Sequence, residues 1–421
     1  MIEVITLSEG VTLRHFQDSR FKQGCLSVQF VRPMDHAEAA LNALLPAVLL
    51  RGTESCPDLR SITMRLDDLY GASIGAVVRR AGDWQTTGLF CSFIEEKYAL
   101  DGDKVFAPVV DFLKEILFAP RLEKGIFPES VVESEKKNLI ATVESQMNDK
   151  RAYAFDRLMR LMCKEDSYGI PRLGSKEKIA EITAESLYRH YEKLLKESRV
   201  ELFCVSSAPA QAVAESLRDL FDGYGRSTAP LPEQMPFTDA PGGTYEEQME
   251  VSQGKLAIGY ATPITQRTSQ YAAMHLCNAV LGGGMTGKLF TKIREEMSLC
   301  YDISSAYYSS KGIVTVSAGI DSGKLDVVLQ QIDDQLSAIC RGEITGTEME
   351  SARQTLLSAL QSVNDTPGNI EGYYAIRELT GGLLSREEYM ESVKKCTVEE
   401  VAQAAQTLTK HTVFFLKGVG E

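Results

Sequence analysis

Two parts of the chain present the same order of patterned segments, and this repeat limits the possible folds more than any other feature. Each part has an apolar helical segment, a loop and an amphipathic helical segment, followed by two strand-like segments joined by a short turn. The paired strand patterns cover residues 72–80 and 85–94 in the first part, and 300–308 and 313–320 in the second. Such pairs around turn residues are typical of β-hairpins. The sequence therefore predicts a duplicated α+β fold, each copy a mostly antiparallel sheet with helices on one face.

The two parts also end alike, with a helical segment that leads into a strand. Thr183 and Thr397 each stand just before a Glu, a pattern that favours a helix N-terminus, and strand patterns follow at residues 200–207 and 411–418. Residues 223–247 are rich in Pro, Gly, Ser and Thr and separate the two parts. We therefore expect an N-terminal domain at residues 1–225, a linker at 226–243 and a C-terminal domain at 244–421.

The charge balance disfavours nucleic acid and anionic membranes as partners. Lys and Arg number 45 against 58 Asp and Glu, which gives a net charge of −13. The sequence has no basic N-terminal segment followed by an apolar run and no uninterrupted apolar run of membrane-spanning length. The nine cysteines form no C-x-x-C pair, which favours reduced thiols. These features predict a cytoplasmic protein.

A glycine-rich stretch at residues 281–290, LGGGMTGKLF, nearly completes a phosphate-binding loop. That loop requires a buried strand before it and Ser or Thr after its Lys. Here the preceding segment has a helical pattern, and Leu289 follows Lys288. We interpret the stretch as a connection between helices whose backbones pass closely, rather than as a nucleotide site. Its glycines are Gly282, Gly283 and Gly284.

The segment after the glycines predicts an amphipathic helix, because Leu289, Ile293 and Met297 recur every four residues. It is followed by the pattern Arg-Glu-x-x-x-Leu-x-Tyr at residues 294–301. The whole stretch from 281 to 308 resembles a signature of the peptidase M16 family, the insulinase, pitrilysin and mitochondrial-processing-peptidase group. The resemblance extends along nearly the whole chain and is strongest to the bacterial subfamily of two-domain chains that associate in pairs.

This resemblance implies both a fold and a role for two side chains. The implied fold is that of the LuxS/MPP-like metallohydrolases, with two homologous domains arranged as a clam shell. In the family, an Arg and a Tyr of the second domain hold the substrate backbone near the scissile bond. Here they would be Arg294 and Tyr301, which can both donate hydrogen bonds to a peptide carbonyl. Without the resemblance, the residues alone favour the simpler interpretation, in which Arg294 is an exposed helix residue and Tyr301 an ordinary strand aromatic.

The sequence departs from the family at the zinc motif H-x-x-E-H. In that motif two His, four residues apart on a helix, bind Zn²⁺ and the Glu acts as the base. Counting back from a Gly-Thr pair, the motif positions fall on Ala43, Pro46 and Ala47. Ala cannot coordinate zinc. Pro46 lacks the N–H that would bond the carbonyl of Asn42, so we expect the helix to kink or end there.

No other residues replace the motif. The position of the third zinc ligand falls on Val143, with Glu144 beside it. The five histidines are never four residues apart, so no pair shares a helical face. They are His15, His36, His190, His275 and His411. We expect no metal in this chain and no peptide hydrolysis by the chain alone.

The resemblance then implies a non-catalytic subunit of a heterodimeric M16-type zinc metallopeptidase. The partner would carry H-x-x-E-H and the zinc, while this chain would complete the peptide-binding chamber and contribute Arg294 and Tyr301. The alternative is a non-enzymatic scaffold or peptide-binding protein of M16 fold that associates with itself.

Overall fold

The structure is a computed structural model that describes residues 2–237, 241–382 and 384–418. The strands are β1 (Ile2–Ser8), β2 (Val11–Gln17), β3 (Gln23–Pro33), β4 (Ser73–Ala81), β5 (Trp84–Ile94), β6 (Arg199–Ser206), β7 (Thr244–Met249), β8 (Gly254–Ala261), β9 (Cys300–Tyr308), β10 (Ile313–Ile320) and β11 (Thr409–Gly418). The helices of the first part are α1 (Ala39–Leu49), α2 (Leu59–Asp68), α3 (Phe106–Phe118), α4 (Glu129–Asn148), α5 (Lys150–Met162), α6 (Lys176–Ala180), α7 (Ala184–Glu197) and α8 (Ala210–Leu217). Those of the second part are α9 (Tyr271–Gly282), a π-helix (Leu289–Glu296), α10 (Leu325–Cys340), α11 (Gly346–Ser362), α12 (Pro367–Thr380), α13 (Arg386–Lys395) and α14 (Val398–Ala405).

The two sheets have the same topology, which confirms the predicted duplication. The first sheet has the strand order β1-β2-β6-β3-β5-β4 and the second has the order β7-β11-β8-β10-β9. Apart from the additional β1, the strands correspond one by one. Each sheet contains a single parallel pair, β2 with β6 and β7 with β11, and its other pairs are antiparallel. The mostly antiparallel character predicted from the hairpins is therefore confirmed.

Local signals in the sequence identify several element boundaries correctly. The predicted hairpins are β4–β5 and β9–β10. Thr183 and Thr397 are the N-caps of α7 and α14, and each side-chain oxygen accepts the backbone N–H three residues later. In the turn of the second hairpin, Gly312 has a φ of +68°, and a Cβ there would stand 2.2 Å from the carbonyl oxygen of Thr262. Only glycine fits that position.

The chain forms two compact units that are discontinuous in sequence. One unit contains residues 1–144, 170–233 and 363–379, and the other contains 145–169, 234–362 and 380–421. The repeat predicted two continuous domains, but two segments are exchanged and lie in the opposite unit. Helix α5, from the first part of the chain, belongs to the second unit, and most of α12, from the second part, belongs to the first. Of the expected linker, residues 226–237 form no helix or strand, and residues 238–240 lie outside the described residues.

Each sheet carries helices of its own part on one face, as predicted, and an exchanged helix on the other. In the first unit, α12 places Ile370 and Ala375 in an apolar cluster with Cys25, Phe203 and Val205 of the sheet. In the second unit, α5 packs on β8 and β11 through a cluster of Ala154, Leu158, Ala257, Phe414 and Leu416. This second layer explains why β3 is buried along most of its length on both faces.

A buried ion pair fixes α12 on the first sheet. The Glu371 side chain is 0% exposed and accepts two hydrogen bonds from the guanidinium of Arg79, both of 2.8 Å. It also accepts bonds from the Ser27 hydroxyl at 2.7 Å and the Gln29 amide at 2.9 Å. A buried carboxylate is tolerated only when it is paired and hydrogen-bonded in this way.

A second buried ion pair anchors the exchanged segment of the other unit. Lys311, which is almost completely buried in the turn between β9 and β10, lies 2.8 Å from Asp166, just beyond α5. On the same segment, the Tyr153 hydroxyl donates to the Glu247 carboxylate of β7 at 2.8 Å. In each unit, polar side chains therefore hold a helix from the other part of the chain. Among the described residues, no helix combines the length and apolar character needed to cross a membrane.

Replacing Glu371 by Gln is expected to lower the free energy of unfolding by about 3 kcal/mol, because the Arg79 guanidinium would lose its anionic partner beneath α12. Chemical denaturation followed by circular dichroism measures the change. The matched control is Glu378→Gln on the same helix, whose half-exposed carboxylate lies 2.9 Å from Arg14. That change should cost less than about 1 kcal/mol, and equal losses in both variants would contradict the anchoring role of Glu371.

Candidate functional site

The degenerate zinc-motif positions lie on α1, which packs against β4 and β5. Ala43 and Pro46 are buried and Ala47 is half-buried. Of the two outcomes expected at Pro46, a kink or an end of the helix, the end was wrong, because α1 continues to Leu49 and Leu50 still bonds the Pro46 carbonyl at 3.3 Å. Proline therefore lies inside a helix of eleven residues.

A side chain from the sheet compensates for the hydrogen bond that Pro46 cannot make. Proline removes the donor for the carbonyl four residues earlier, which belongs to Asn42. The buried hydroxyl of Thr87 on β5 donates to this carbonyl oxygen at 2.5 Å. Because the orphaned carbonyl is satisfied from outside the helix, α1 continues past the proline.

A buried hydrogen-bond network extends from the same asparagine. The Asn42 amide donates to Gln85 at 2.8 Å, and the Asn42 side-chain oxygen accepts from the ring Nε2 of His190 at 2.7 Å. Gln85 in turn donates to the carbonyls of Ala39 and Arg172, at 3.1 and 2.7 Å. This network was not predicted from the sequence, where its local signal is the run of polar residues Gln-Thr-Thr at the start of a strand.

His190 is neutral because it is buried. Burial lowers the pKa of His190 to about 4, against a smaller opposing effect from the Glu38 carboxylate. Burial also lowers the pKa of His275 in the second unit to about 4, where its ring contacts the Tyr389 hydroxyl. Both histidines are thus satisfied side chains of the protein interior rather than exposed ligands.

The residues at the motif positions do not fit a zinc ion. Two methyl groups and a pyrrolidine ring offer no lone pair to a metal. At the third-ligand position, Val143 packs against the hydrophobic core, and the neighbouring Glu144 pairs with Lys176. Within the described ranges, no three His, Cys, Asp or Glu side chains are grouped so that they could hold a metal ion.

The glycine-rich loop permits close backbone contacts, as interpreted from the sequence. A Cβ on Gly282 would stand 2.9 Å from Leu289 and 3.0 Å from the backbone nitrogen of Ser305, while one on Gly287 would stand 2.9 Å from the Cα of Gly282. Lys288, the residue that would bind phosphate in a nucleotide site, is buried and pairs with Glu348 at 2.9 Å. The loop therefore joins two helices.

The helix that follows is a π-helix, and this corrects one sequence expectation. Leu289 and Ile293 are buried as predicted, but Met297 is 44% exposed. The Met297 N–H bonds the Lys292 carbonyl, five residues back, so the helix is wider than an α-helix. Met297 is the C-cap residue, just beyond the last helical residue Glu296, so the apolar spacing of four extends past the end of the helix.

Arg294 and Tyr301 are both accessible to solvent at the end of this helix and the start of β9, an edge strand. The Arg294 side chain is 38% exposed, lies over the Phe290 ring at 4.5 Å and is 3.4 Å from Glu295. Tyr301 is 57% exposed, and its hydroxyl donates to Asp321 at 3.4 Å. Arg294 also lies close enough to oppose the rise in the pKa of Cys300 that burial causes. Their role in substrate binding stays a prediction.

Comparison with known proteins finds chains of similar sequence and similar fold. The model of the family described as "Peptidase M16 inactive domain" matches residues 181–356. A probable inactive metalloprotease of Bacillus subtilis, YmfF, is 27% identical over 97% of this chain and 96% of its own length. A conserved protein from Enterococcus faecalis has a crystal structure with a TM-score of 0.92 and 29% identity, covering 100% of this chain and 99% of that one. The M16 inactive domain from Pseudomonas fluorescens has the same fold, with a TM-score of 0.83 at 18% identity, covering 100% and 98% of the two chains.

The duplicated topology, the glycine loop and the Arg-Glu-x-x-x-Leu-x-Tyr pattern thus belong to an M16-type fold. The chain is similar to proteins of the peptidase M16 family, among them a probable inactive metalloprotease, and has the fold of an M16-type protein.

The hydrogen bond to Thr87 is expected to matter only because of Pro46. Thr87→Val should lower the free energy of unfolding by roughly 1–3 kcal/mol, since it leaves the buried Asn42 carbonyl unpaired. In a Pro46→Ala background, which restores the helical donor, the same change should cost markedly less. A double-mutant cycle by urea denaturation measures this coupling. Equal losses in both backgrounds would disprove the compensation.

The buried histidines predict a loss of stability in mild acid. A neutral buried His has a folded-state pKa near 4 and an unfolded value near 6.5. As pH falls between these values, the unfolded chain binds protons that the folded chain cannot, so the free energy of unfolding decreases. The decrease should be on the order of 2–3 kcal/mol for each histidine. Denaturation of wild type and His190→Gln from pH 7.5 to 4.5 measures it, and parallel pH curves would contradict this role of His190.

Proposed function

We propose that this chain is the non-catalytic subunit of a heterodimeric M16-type zinc metallopeptidase. Its partner carries H-x-x-E-H and the zinc ion, and this chain completes the peptide-binding chamber. Arg294 and Tyr301 hold the substrate backbone near the bond that the partner cleaves. The chain has no metal of its own in this proposal and acts in the compartment of its partner, which we place in the cytoplasm.

One contrast carries the proposal: the chain lacks the zinc ligands but keeps the Arg and Tyr pair accessible. At the motif, methyl groups and a proline are packed into the protein interior and the surrounding polar groups are hydrogen-bonded to one another. Among the described residues, the polar contacts of Arg294 and Tyr301 are long, at 3.4 Å. The Arg294 guanidinium therefore has donors for an additional acceptor, and the Tyr301 hydroxyl can exchange its weak bond to Asp321 for a stronger one.

The chemistry of these two side chains suits a peptide in the act of cleavage. A guanidinium and a phenol both donate hydrogen bonds, and a carbonyl oxygen becomes a stronger acceptor as negative charge develops on it. Donors fixed on a helix and an edge strand are already oriented before the substrate arrives. The name of the Bacillus subtilis relative, a probable inactive metalloprotease, also supports a role without independent catalysis.

The decisive experiment is peptidase activity on a quenched unstructured peptide. The chain is assayed alone and mixed one-to-one with an H-x-x-E-H-bearing M16 protein from the same source, with the zinc content of each measured. We expect activity only in the mixture and zinc only in the partner. Chelator-sensitive activity from this chain alone would contradict the proposal. Inactivity of both samples would favour the alternative, a self-associating scaffold or peptide-binding protein.

Arg294→Ala should lower the turnover of the mixed enzyme by roughly 10²-fold, the usual effect of removing a donor to the developing oxyanion. Tyr301→Phe tests the phenol in the same way. Assembly, followed by analytical ultracentrifugation, should be unchanged, because neither side chain is buried. Arg189→Ala, an exposed position on α7, is the matched control and should keep full activity. Loss of assembly rather than turnover would indicate a structural role for Arg294.

A further inference from the structure

A cavity lies within the second unit, between the first turn of α5 and the face of β9 and β10. Its volume is about 300 Å³, at the lower limit of ligand pockets in proteins. The helix covers β8 and β11, whereas the strands at this edge of the sheet carry small side chains, among them Ser304, Ala306 and Ser317. The exchanged helix thus leaves an open recess beside the edge strand.

Arg151 of α5 reaches across this recess. Its Nη2 donates to the Ser304 hydroxyl at 2.5 Å and to the Ser317 hydroxyl at 3.2 Å, and the two hydroxyl oxygens are 3.4 Å apart. The side chain is still 48% exposed. Over the described part of the chain, its Nε and Nη1 groups have no acceptor within hydrogen-bond distance. A guanidinium with unused donors is held in place by two hydroxyls that can themselves donate.

The acidic groups nearby do not neutralise this guanidinium fully. Asp302 lies 3.8 Å from Arg151, beyond hydrogen-bond distance, and its other oxygen lies 3.9 Å from Lys255. One carboxylate is therefore shared between two cations. Asp149 also lines the recess, but its Oδ1 accepts the backbone N–H groups of Arg151 and Ala152 as the N-cap of α5. The donors of Arg151 consequently lack a close anion.

The recess also has an aromatic wall. Phe155 of α5 and Tyr308 of β9 are stacked, with ring centroids 5.6 Å apart and an angle of 27° between the rings. Both line the same cavity as Arg151. The recess thus offers two kinds of contact. The cation can bind a carboxylate, and the aromatic surface can pack against an apolar group next to that carboxylate.

We propose that this cavity binds the C-terminal carboxylate of a peptide, with Arg151 as the cation and the Phe155–Tyr308 wall beside the apolar side chain of the last residue. The proposal rests on the proposed function in that a peptide is the ligand. It adds a second anchoring point, separate from Arg294 and Tyr301, that holds the end of the peptide. The two serine hydroxyls orient the guanidinium and are available to donate to the same carboxylate.

The test uses the purified full chain without a partner and a fluorescein-labelled hexapeptide ending in leucine, made as the free acid and as the C-terminal amide. Fluorescence anisotropy should show binding of the acid at least on the order of tenfold tighter than the amide. Arg151→Gln should abolish this difference, and Arg151→Lys should retain part of it. Ala306→Leu, which fills the cavity and keeps the arginine, should weaken the acid form. Arg160→Gln on the same helix is the matched control and should change nothing.

Equal affinities of the wild-type chain for the acid and the amide would overturn the proposal. An Arg151→Gln variant that still prefers the acid would also overturn it. Thermal denaturation checks that this variant is folded. Competition by N-acetyl-leucine as strong as that by the unlabelled hexapeptide would overturn the assignment to a peptide, because any small carboxylate would then suffice. This binding assay is independent of the mixed peptidase assay. If the mixed sample is active but the chain binds acid and amide equally, only the proposed cavity site is wrong. If the chain prefers the acid but the mixed sample is inactive, only the proposed heterodimer is wrong.

Discussion

The buried carboxylate of Glu371 joins α12 to the sheet of the first unit. Glu371 has no contact with water, so its charge is tolerable only because Arg79 and the side chains of Ser27 and Gln29 surround it. These partners belong to the sheet of the first part of the chain, whereas Glu371 belongs to a helix of the second. The ion pair therefore specifies which sheet α12 covers, a choice that apolar contacts alone leave open. In the second unit, Lys311 and Asp166 make the corresponding connection for the segment that follows α5.

The sequence was sufficient to predict the elements that local patterns determine. Strand alternation around a turn identified both hairpins, and a Thr ahead of a Glu identified the starts of α7 and α14, because these signals act within a few residues. The exchange of α5 and α12 was not predictable in the same way. An amphipathic pattern shows which face of a helix is apolar, but not which of two similar sheets will cover that face. The decisive partners, Arg79 and Glu371, are separated by 292 residues.

The same distinction applies to the site. The absence of the zinc motif at Ala43, Pro46 and Ala47 could be predicted from the sequence, because the motif and the Gly-Thr pair after it have a fixed spacing. The behaviour of the helix around Pro46 was not, since it depends on the Thr87 hydroxyl from a strand that is distant in sequence. Met297 was misplaced because the apolar spacing does not show where the helix ends. The helix stops at Glu296, and Met297 is the exposed residue that caps it.

The anchoring of α1 explains how the chain can lack the zinc-binding motif and still adopt an M16-type fold. In a catalytic metal site, the ion links a helix to ligand side chains from other segments of the chain. Loss of the ion therefore removes a structural cross-link as well as a reactive centre. Here Asn42 and its partners Gln85, Thr87 and His190 tie α1 to the sheet and to α7 by neutral hydrogen bonds. The side chains of this set bond to one another, so they are not arranged to bind a ligand. In the second unit, by contrast, Arg151 and Arg294 are partly exposed and have donors without a close acceptor among the described residues, and both are suited to interact with a peptide.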